Sequence, residues 1–329
     1  MAGLQKFLGS RAICVVPWLA MLVLVVIAAC VNAVIDLDQL PLDTSHLFPA
    51  DIVAAVSADL PSVTRHLTAR ITWGLTSIGF GLVALAAIGT AMYVLGSCLR
   101  ELAHAERAAC GWAIFGCALP FALIAGFGGN LILSEPAATE ALRAATLHQT
   151  IAHHAVSADS LFDKLSYLIF LLLAAAASAT LLWPTADQKS PALLRRRIAR
   201  VQSLLFIGAT GLALRALEMY FLYRWPAAWL TGAPAESVDQ IALAVSTAYG
   251  AFYTGILASL YLPTAFLLRL RASRLADESV PDDTEKRDAW LAKSGLEFLP
   301  FREFGHLLVI LAPLLAGGPL AKVIGAIGG

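Results

Sequence analysis

LALRALEMYFLYRW, residues 212–225, sets one arginine and one glutamate three positions apart in a run that is otherwise apolar and closes in aromatic residues. From Ser203 to Tyr223 these are the only charged side chains. A helix crossing a hydrocarbon core needs about 20 predominantly apolar residues, so the stretch reads as a transmembrane helix that carries two charges. If it enters hydrocarbon near Ser203, Arg215 lies about 18 Å along the axis, in the outer half of a core about 30 Å thick. Glu218 is one turn further out and shares a helix face with Arg215. Tyr220, Tyr223 and Trp225 then fall where an aromatic belt marks the outer interface.

Charged residues inside a span are costly and usually face the bundle interior or water. Two alternatives stand for this pair. It lines a polar outer vestibule or ion path, or it is a self-neutralised pair that snorkels outward or pins two helices together. Depth favours a functional role for Arg215, whereas Glu218 is shallow enough to reach interfacial water.

The rest of the chain agrees with a membrane reading. Of 329 residues, 59% are hydrophobic and 14% charged, against about 45–50% and 25% in ordinary soluble domains. The formal net charge is zero, which gives no reason to expect a nucleic-acid partner. Six stretches are long enough to cross: about 12–35, 71–97, 111–133, 165–183, 203–223 and 241–268. Unpaired backbone groups are not tolerated in lipid and the runs lack strand alternation, so all six are expected to be helices. The first run resembles a lipoprotein signal ending at Cys30, but it continues to Ile35 and suits an uncleaved span better.

Twelve Lys and Arg lie in the segments at one side of these spans and five at the other, with LLRRRIAR (193–200) the strongest anchor. The asymmetry puts the N-terminus in the cytoplasm. The expected fold is therefore an all-α, polytopic integral membrane protein whose six spans form three outward-pointing hairpins. Residues 1–274 make the six-helix domain, in a plasma membrane or bacterial inner membrane. Residues 275–329 add a short cytoplasmic helix near 283–294, with Asp282 or Asp283 as N-cap and Gly295 as its stop, then an apolar tail. Pro313, Gly317, Gly318, Pro319 and Lys322 interrupt that tail. An interfacial or re-entrant hairpin is the first expectation for it, ahead of a helix packed on a neighbouring subunit or a seventh span.

Other features are weaker. PFALIAGFGGNLIL, the end of the third span, is loosened by glycines and offers Asn130 as an interhelical donor. The external excursions 36–70, 134–164 and 224–240 hold eleven acids against five Lys or Arg, together with His148, His153 and His154 near Asp159. They form either a solvated acidic surface or a divalent-cation site, although His148 and His153 are not spaced to share a helix face, and no metal or other cofactor is expected. AVSAD recurs at 55–59 and 155–159, either as duplicated hairpins or as two interfacial approach segments. The five cysteines have no metal-site or disulfide-framework spacing.

HExxH, Walker, GxSxG and GxGxxG signatures are absent from the sequence, and catalysis is not expected. The leading functional expectation is a channel-like or membrane-permeabilising homo-oligomer with a polar site formed by Arg215, Glu218, Asn130 and Tyr220. A small-solute or ion transporter is the second. A non-conducting scaffold or signalling subunit, recruiting a protein partner through the cytoplasmic tail, is the third.

Overall fold

The computed structural model describes residues 11–35, 60–127, 149–183, 190–229, 232–280, 284–296 and 304–327. Every regular element among them is helical. A 3₁₀ turn at Arg11–Val15 leads into α1 (Val16–Ile35), followed by α2 (Leu60–Arg100), α3 (His104–Phe127), α4 (Gln149–Leu181) and α5 (Pro191–Arg224). After a second 3₁₀ turn at Trp225–Trp229 come α6 (Ala233–Ser279), α7 (Thr284–Lys293), α8 (Phe304–Gly317) and α9 (Pro319–Ile327).

Four stretches of the described residues are each long and apolar enough to cross a membrane: Thr64–Arg100, Ala158–Leu181, Pro191–Ala228 and Ala235–Ser279. The pair Gly305–Gly317 and Pro319–Gly325, bent by 49°, makes a fifth if counted as one span. The expected spans 12–35 and 111–133 correspond to α1 and α3, but only Ile13–Val26 of the first registers as a shorter apolar helix, and residues 128–133 lie outside the described residues. The helices overrun the expected spans, because hydropathy marks only the stretch suited to lipid whereas backbone hydrogen bonding continues through polar flanks. Thus α2 starts at Leu60 rather than 71, and α4 at Gln149 rather than 165.

Local chemistry accounts for several boundaries. Ser190 caps α5 by accepting the Leu193 N–H at 3.3 Å, with Pro191 in the first turn where its missing N–H costs nothing. Gly295 adopts φ +64° just beyond α7, and Leu296 N–H closes back on the Leu291 carbonyl. This is the expected glycine stop. Asp282 and Asp283 fall outside the described residues.

Helices α5 and α6 form the centre of the bundle, with α2 and α4 packed on α5, and α1 on α6. One face of α2 is buried through Phe80, Ala84, Ala87, Ala91, Val94 and Cys98, whereas Leu75, Ile78, Leu82 and Leu85 face outward. Such helical spacing puts two apolar faces on one helix. In a span, the outward one suits lipid. In α4 the run Ala174–Ala177 and Ala179 is buried, and small side chains there permit close helix approach.

The tail traverses this bundle. The His306 ring sits 5.8 Å from Phe206 of α5 and 5.9 Å from Tyr261 of α6. Further along, Leu314 N–H donates to Thr254 Oγ1 at 3.2 Å, and Ser246 Oγ donates to the Gly317 carbonyl at 2.5 Å. Finally Arg224 Nη1 donates to the Gly325 carbonyl at 2.7 Å. Residues 306–325 therefore keep pace with 206–224 of α5 over about 27 Å at a helical rise of 1.5 Å per residue. His306 thus lies level with Phe206, and Gly325 at the Arg224 end of α5.

Glycines make this approach possible. A Cβ on Gly317 would overlap the Ser246 carbonyl, and one on Gly250 would overlap the Pro313 carbonyl. Overpacking of this kind typically costs about 1–3 kcal/mol. Gly317→Ala is expected to lower the melting temperature of the detergent-solubilised protein and loosen the tail. Gly79→Ala is the control: open space surrounds Gly79, and alanine there is expected to leave melting unchanged or slightly raised.

Candidate functional site

Three helices bring polar side chains to one point through helical periodicity. On α5, Arg215 and Glu218 are at i and i+3; on α4, Asp159 and Asp163 are at i and i+4; on α2, Trp73 and Ser77 are again at i and i+4. Each pair shares a face, and the three faces meet. Arg215 Nη2 donates to Asp159 Oδ1 and Asp163 Oδ1, each at 2.6 Å, while Nη1 bonds Glu218 Oε2. The second Glu218 oxygen, Oε1, accepts the Trp73 indole N–H at 2.6 Å and the Ser77 hydroxyl at 3.4 Å.

The site is buried and ringed with aromatics. Arg215 and Glu218 have 0% exposure and Asp159 7%. The guanidinium lies 5.9 Å from both the Phe80 and Phe162 rings, within range of a cation–π attraction. Tyr249 and Tyr253 approach from α6, close enough to interact electrostatically with Arg215. Trp225 stacks on Trp73 at 5.5 Å and donates its indole N–H to His66 Nδ1 at 2.9 Å.

Charge does not balance within this cluster. One guanidinium faces three carboxyl groups, so the group carries two excess negative charges if all three are ionised. In addition, Arg215 Nε has no hydrogen-bond acceptor among the described residues. Uncompensated charge away from water costs several kcal/mol per ion, and the cluster therefore has a standing demand for positive charge.

The expected site residues fare differently. Arg215 and Glu218 do pair, but both are enclosed, so Glu218 does not reach interfacial water by snorkelling. Asp159 leaves the acidic surface group to which the sequence assigned it. The reason is the early start of α4, which carries the aspartate into the bundle on a helix face. Tyr220 belongs to a separate contact: its hydroxyl donates to Asp239 Oδ1 at 3.0 Å, and Arg224 Nε pairs with the same oxygen at 2.7 Å. Asn130 and His148 lie outside the described residues. The α4 backbone includes His153 and His154, whose side chains are likewise outside the description. Asp163, Trp73 and Ser77 were not anticipated. The signal available was Asp159-x-x-x-Asp163, an i, i+4 acidic pair leading into an apolar helix.

A second cluster occupies the other end of α5 with the charges reversed. Arg197 and Arg200 contact Glu101 at 2.5 and 2.8 Å, and Arg196 stands 3.7 Å from it. Arg197 has 0% exposure and also donates to the Ala179 carbonyl at 3.0 Å. Arg271 of α6 donates to the Leu181 carbonyl at 2.8 Å and lies 4.9 Å from the Trp183 ring. Two arginines thus satisfy carbonyls at the C-terminal end of α4, where a helix leaves acceptors unpaired and attracts cations. Arg197 and Arg215 are 18 residues apart on α5, about 27 Å along a helix and close to the thickness of a hydrocarbon core.

Comparison with known proteins returns no matching family model, no matching curated protein and no matching solved structure. The long apolar helices are compatible with an integral membrane protein. Any finer assignment rests on the chemistry of the sites.

Proposed function

We propose that the protein is a multi-pass carrier that couples movement of a small solute or ion across the bilayer to ion binding at Arg215, Asp159, Asp163 and Glu218. The observation that carries this reading is the burial of three carboxyl groups around one arginine within a helical bundle. Ionisable residues retained at membrane depth commonly mark ion pathways and proton relays. A pore lined by Arg215 would need that side chain to face water, and its complete enclosure within one chain favours an occluded carrier over an open channel. In the proposed topology all six expected spans are retained and the bent α8–α9 pair forms a seventh, broken crossing, an arrangement used at transport sites. The arginine-rich Arg197 end faces the cytoplasm, which puts the Arg215 cluster toward the exterior. Catalysis has no part in this reading.

An oligomeric channel is the second reading, and one observation favours it. Gly74, Gly81, Gly89 and Gly96 repeat every seven or eight residues along α2, each with open space beyond its Cα. Small residues at such spacing allow a second helix to approach closely. The partner-recruiting scaffold has less support, because α8 packs along both α5 and α6.

Current measurements on proteoliposomes adsorbed to a solid-supported membrane separate these readings. The expected result is a saturable transient current, elicited by one class among amino acids, carboxylates, sugars and monovalent cations, dependent on a pH or ion gradient and abolished in Asp163→Asn. Steady, non-saturating conductance would support the channel. No solute-dependent or gradient-dependent current from any class would sink both.

A further inference from the structure

We infer that Asp159 and Asp163 form a proton-binding pair that shares a single proton at neutral pH, with Glu218 serving as the fixed counter-ion of Arg215. The inference deepens the carrier reading by naming its coupling ion, but it stands on hydrogen-bond bookkeeping alone. Both Glu218 oxygens are occupied. Oε2 meets Arg215, which can only donate, and Oε1 meets the Trp73 indole N–H, which can also only donate. With the Ser77 hydroxyl, three donors fall on Glu218 against one on each aspartate, and donors favour the ionised form, so Glu218 is the carboxylate best held as the counter-ion of Arg215.

The two aspartates are then left without a cation of their own. Each sets its Oδ1 2.6 Å from the same nitrogen, Arg215 Nη2, so the two oxygens are within about 5 Å of one another. Two carboxylates that share one donor nitrogen repel each other when both are charged, and a single proton held between them relieves that repulsion. Burial sharpens the conflict: the Asp159 side chain is 10% exposed and that of Asp163 22%. The unsatisfied, fully buried Nε of Arg215 is a second sign that the cluster is polar beyond its internal bonds.

The groups facing the pair from each packed element agree with a proton rather than a metal ion. On α5 stand Arg215 and Glu218 and on α6 Tyr249 and Tyr253, while Trp73 and Ser77 of α2 reach the pair only through Glu218. The guanidinium already holds the point on which the three carboxyl groups converge, where a divalent cation would have to sit. With one proton on the pair the cluster carries one excess negative charge. A second proton neutralises it, and loss of that proton restores the charge, giving two electrostatic states that differ by one proton.

Infrared spectroscopy of the full-length protein in lipid tests this without any transport measurement. A protonated carboxyl C=O band is expected at pH 7, shifted by ¹³C-aspartate labelling and unmoved by ¹³C-glutamate labelling. It should disappear as pH is raised, and should be lost or displaced in both Asp159→Asn and Asp163→Asn. Absence of a protonated carboxyl band at pH 7, a band that follows the glutamate label, or a band unchanged in either folded variant would overturn the inference. If neither variant folds, the labelled wild-type protein still decides which residue type holds the proton. A carrier coupled to another ion would fail here and still show current, so the two readings fail separately.

Discussion

Arg215→Ala is expected to destabilise the folded protein by about 3–5 kcal/mol, the range found when one partner is removed from a buried ion pair. Its complete enclosure places it in that regime rather than that of exposed pairs, whose median contribution is about 0–1 kcal/mol. The variant would hold Asp159, Asp163 and Glu218 together with no cation among them. Folded yield and melting temperature in detergent are the measurements. Arg215→Lys should recover only part of the loss, because an ammonium restores the charge without the planar fork that serves Glu218 from Nη1 and both aspartates from Nη2. Removing the acids along with the arginine distinguishes charge imbalance from lost packing. Arg215→Met combined with Asp159→Asn, Asp163→Asn and Glu218→Gln should melt well above Arg215→Ala, since replacing a buried charged group as a whole is far less costly than orphaning its members. Equal melting of Arg215→Ala and the unaltered protein would remove the cluster from any structural role.

The sequence showed the arginine's problem but not its solution. Depth along a single helix can be counted from 1.5 Å per residue, which is why Arg215 stood out as needing a partner. Which helix supplies that partner depends on packing between segments far apart in the chain, and one sequence does not record it. Asp159 and Asp163 were legible only as residues before an apolar run, because hydropathy places the start of the fourth span at 165 whereas the helix begins at Gln149. The packing of the tail was hidden for a related reason. Pro313, Gly317, Gly318 and Pro319 look like breaks in an isolated helix, yet in the bundle Ser246 Oγ bonds the Gly317 carbonyl and Thr254 Oγ1 accepts the Leu314 N–H. Neighbouring helices satisfy the freed backbone groups, as they can wherever protein covers them, and the glycines become the points of closest contact.

Glu101→Ala is the companion test at the opposite end of α5, with an expected loss of about 3–5 kcal/mol for the same physical reason. Arg197 has 0% exposure, and without Glu101 its remaining acceptor among the described residues is the Ala179 carbonyl, while Arg200 keeps a contact of 3.4 Å to the Cys98 sulfur. The sign of the imbalance is reversed: here three arginines surround one acid, so removing the acid leaves buried positive charge. Glu101→Asp shortens the side chain by one methylene while retaining the charge, and is expected to recover most of the stability. Arg196→Ala, by contrast, removes a side chain that is 63% exposed and 3.7 Å from Glu101. Its effect should stay within about 1 kcal/mol, as for other exposed pairs. Cys98 provides a local readout, because it is fully buried beside Arg200. In a variant whose other cysteines are replaced, a membrane-impermeant maleimide should leave Cys98 unlabelled when Glu101 is present and label it in Glu101→Ala. Labelling equal in both backgrounds, with unchanged melting, would mean that the Arg197 cluster does not close this end of the bundle. If labelling rises from one face of the membrane only, it also assigns the orientation of α5, which the charge asymmetry of the loops predicts to begin in the cytoplasm.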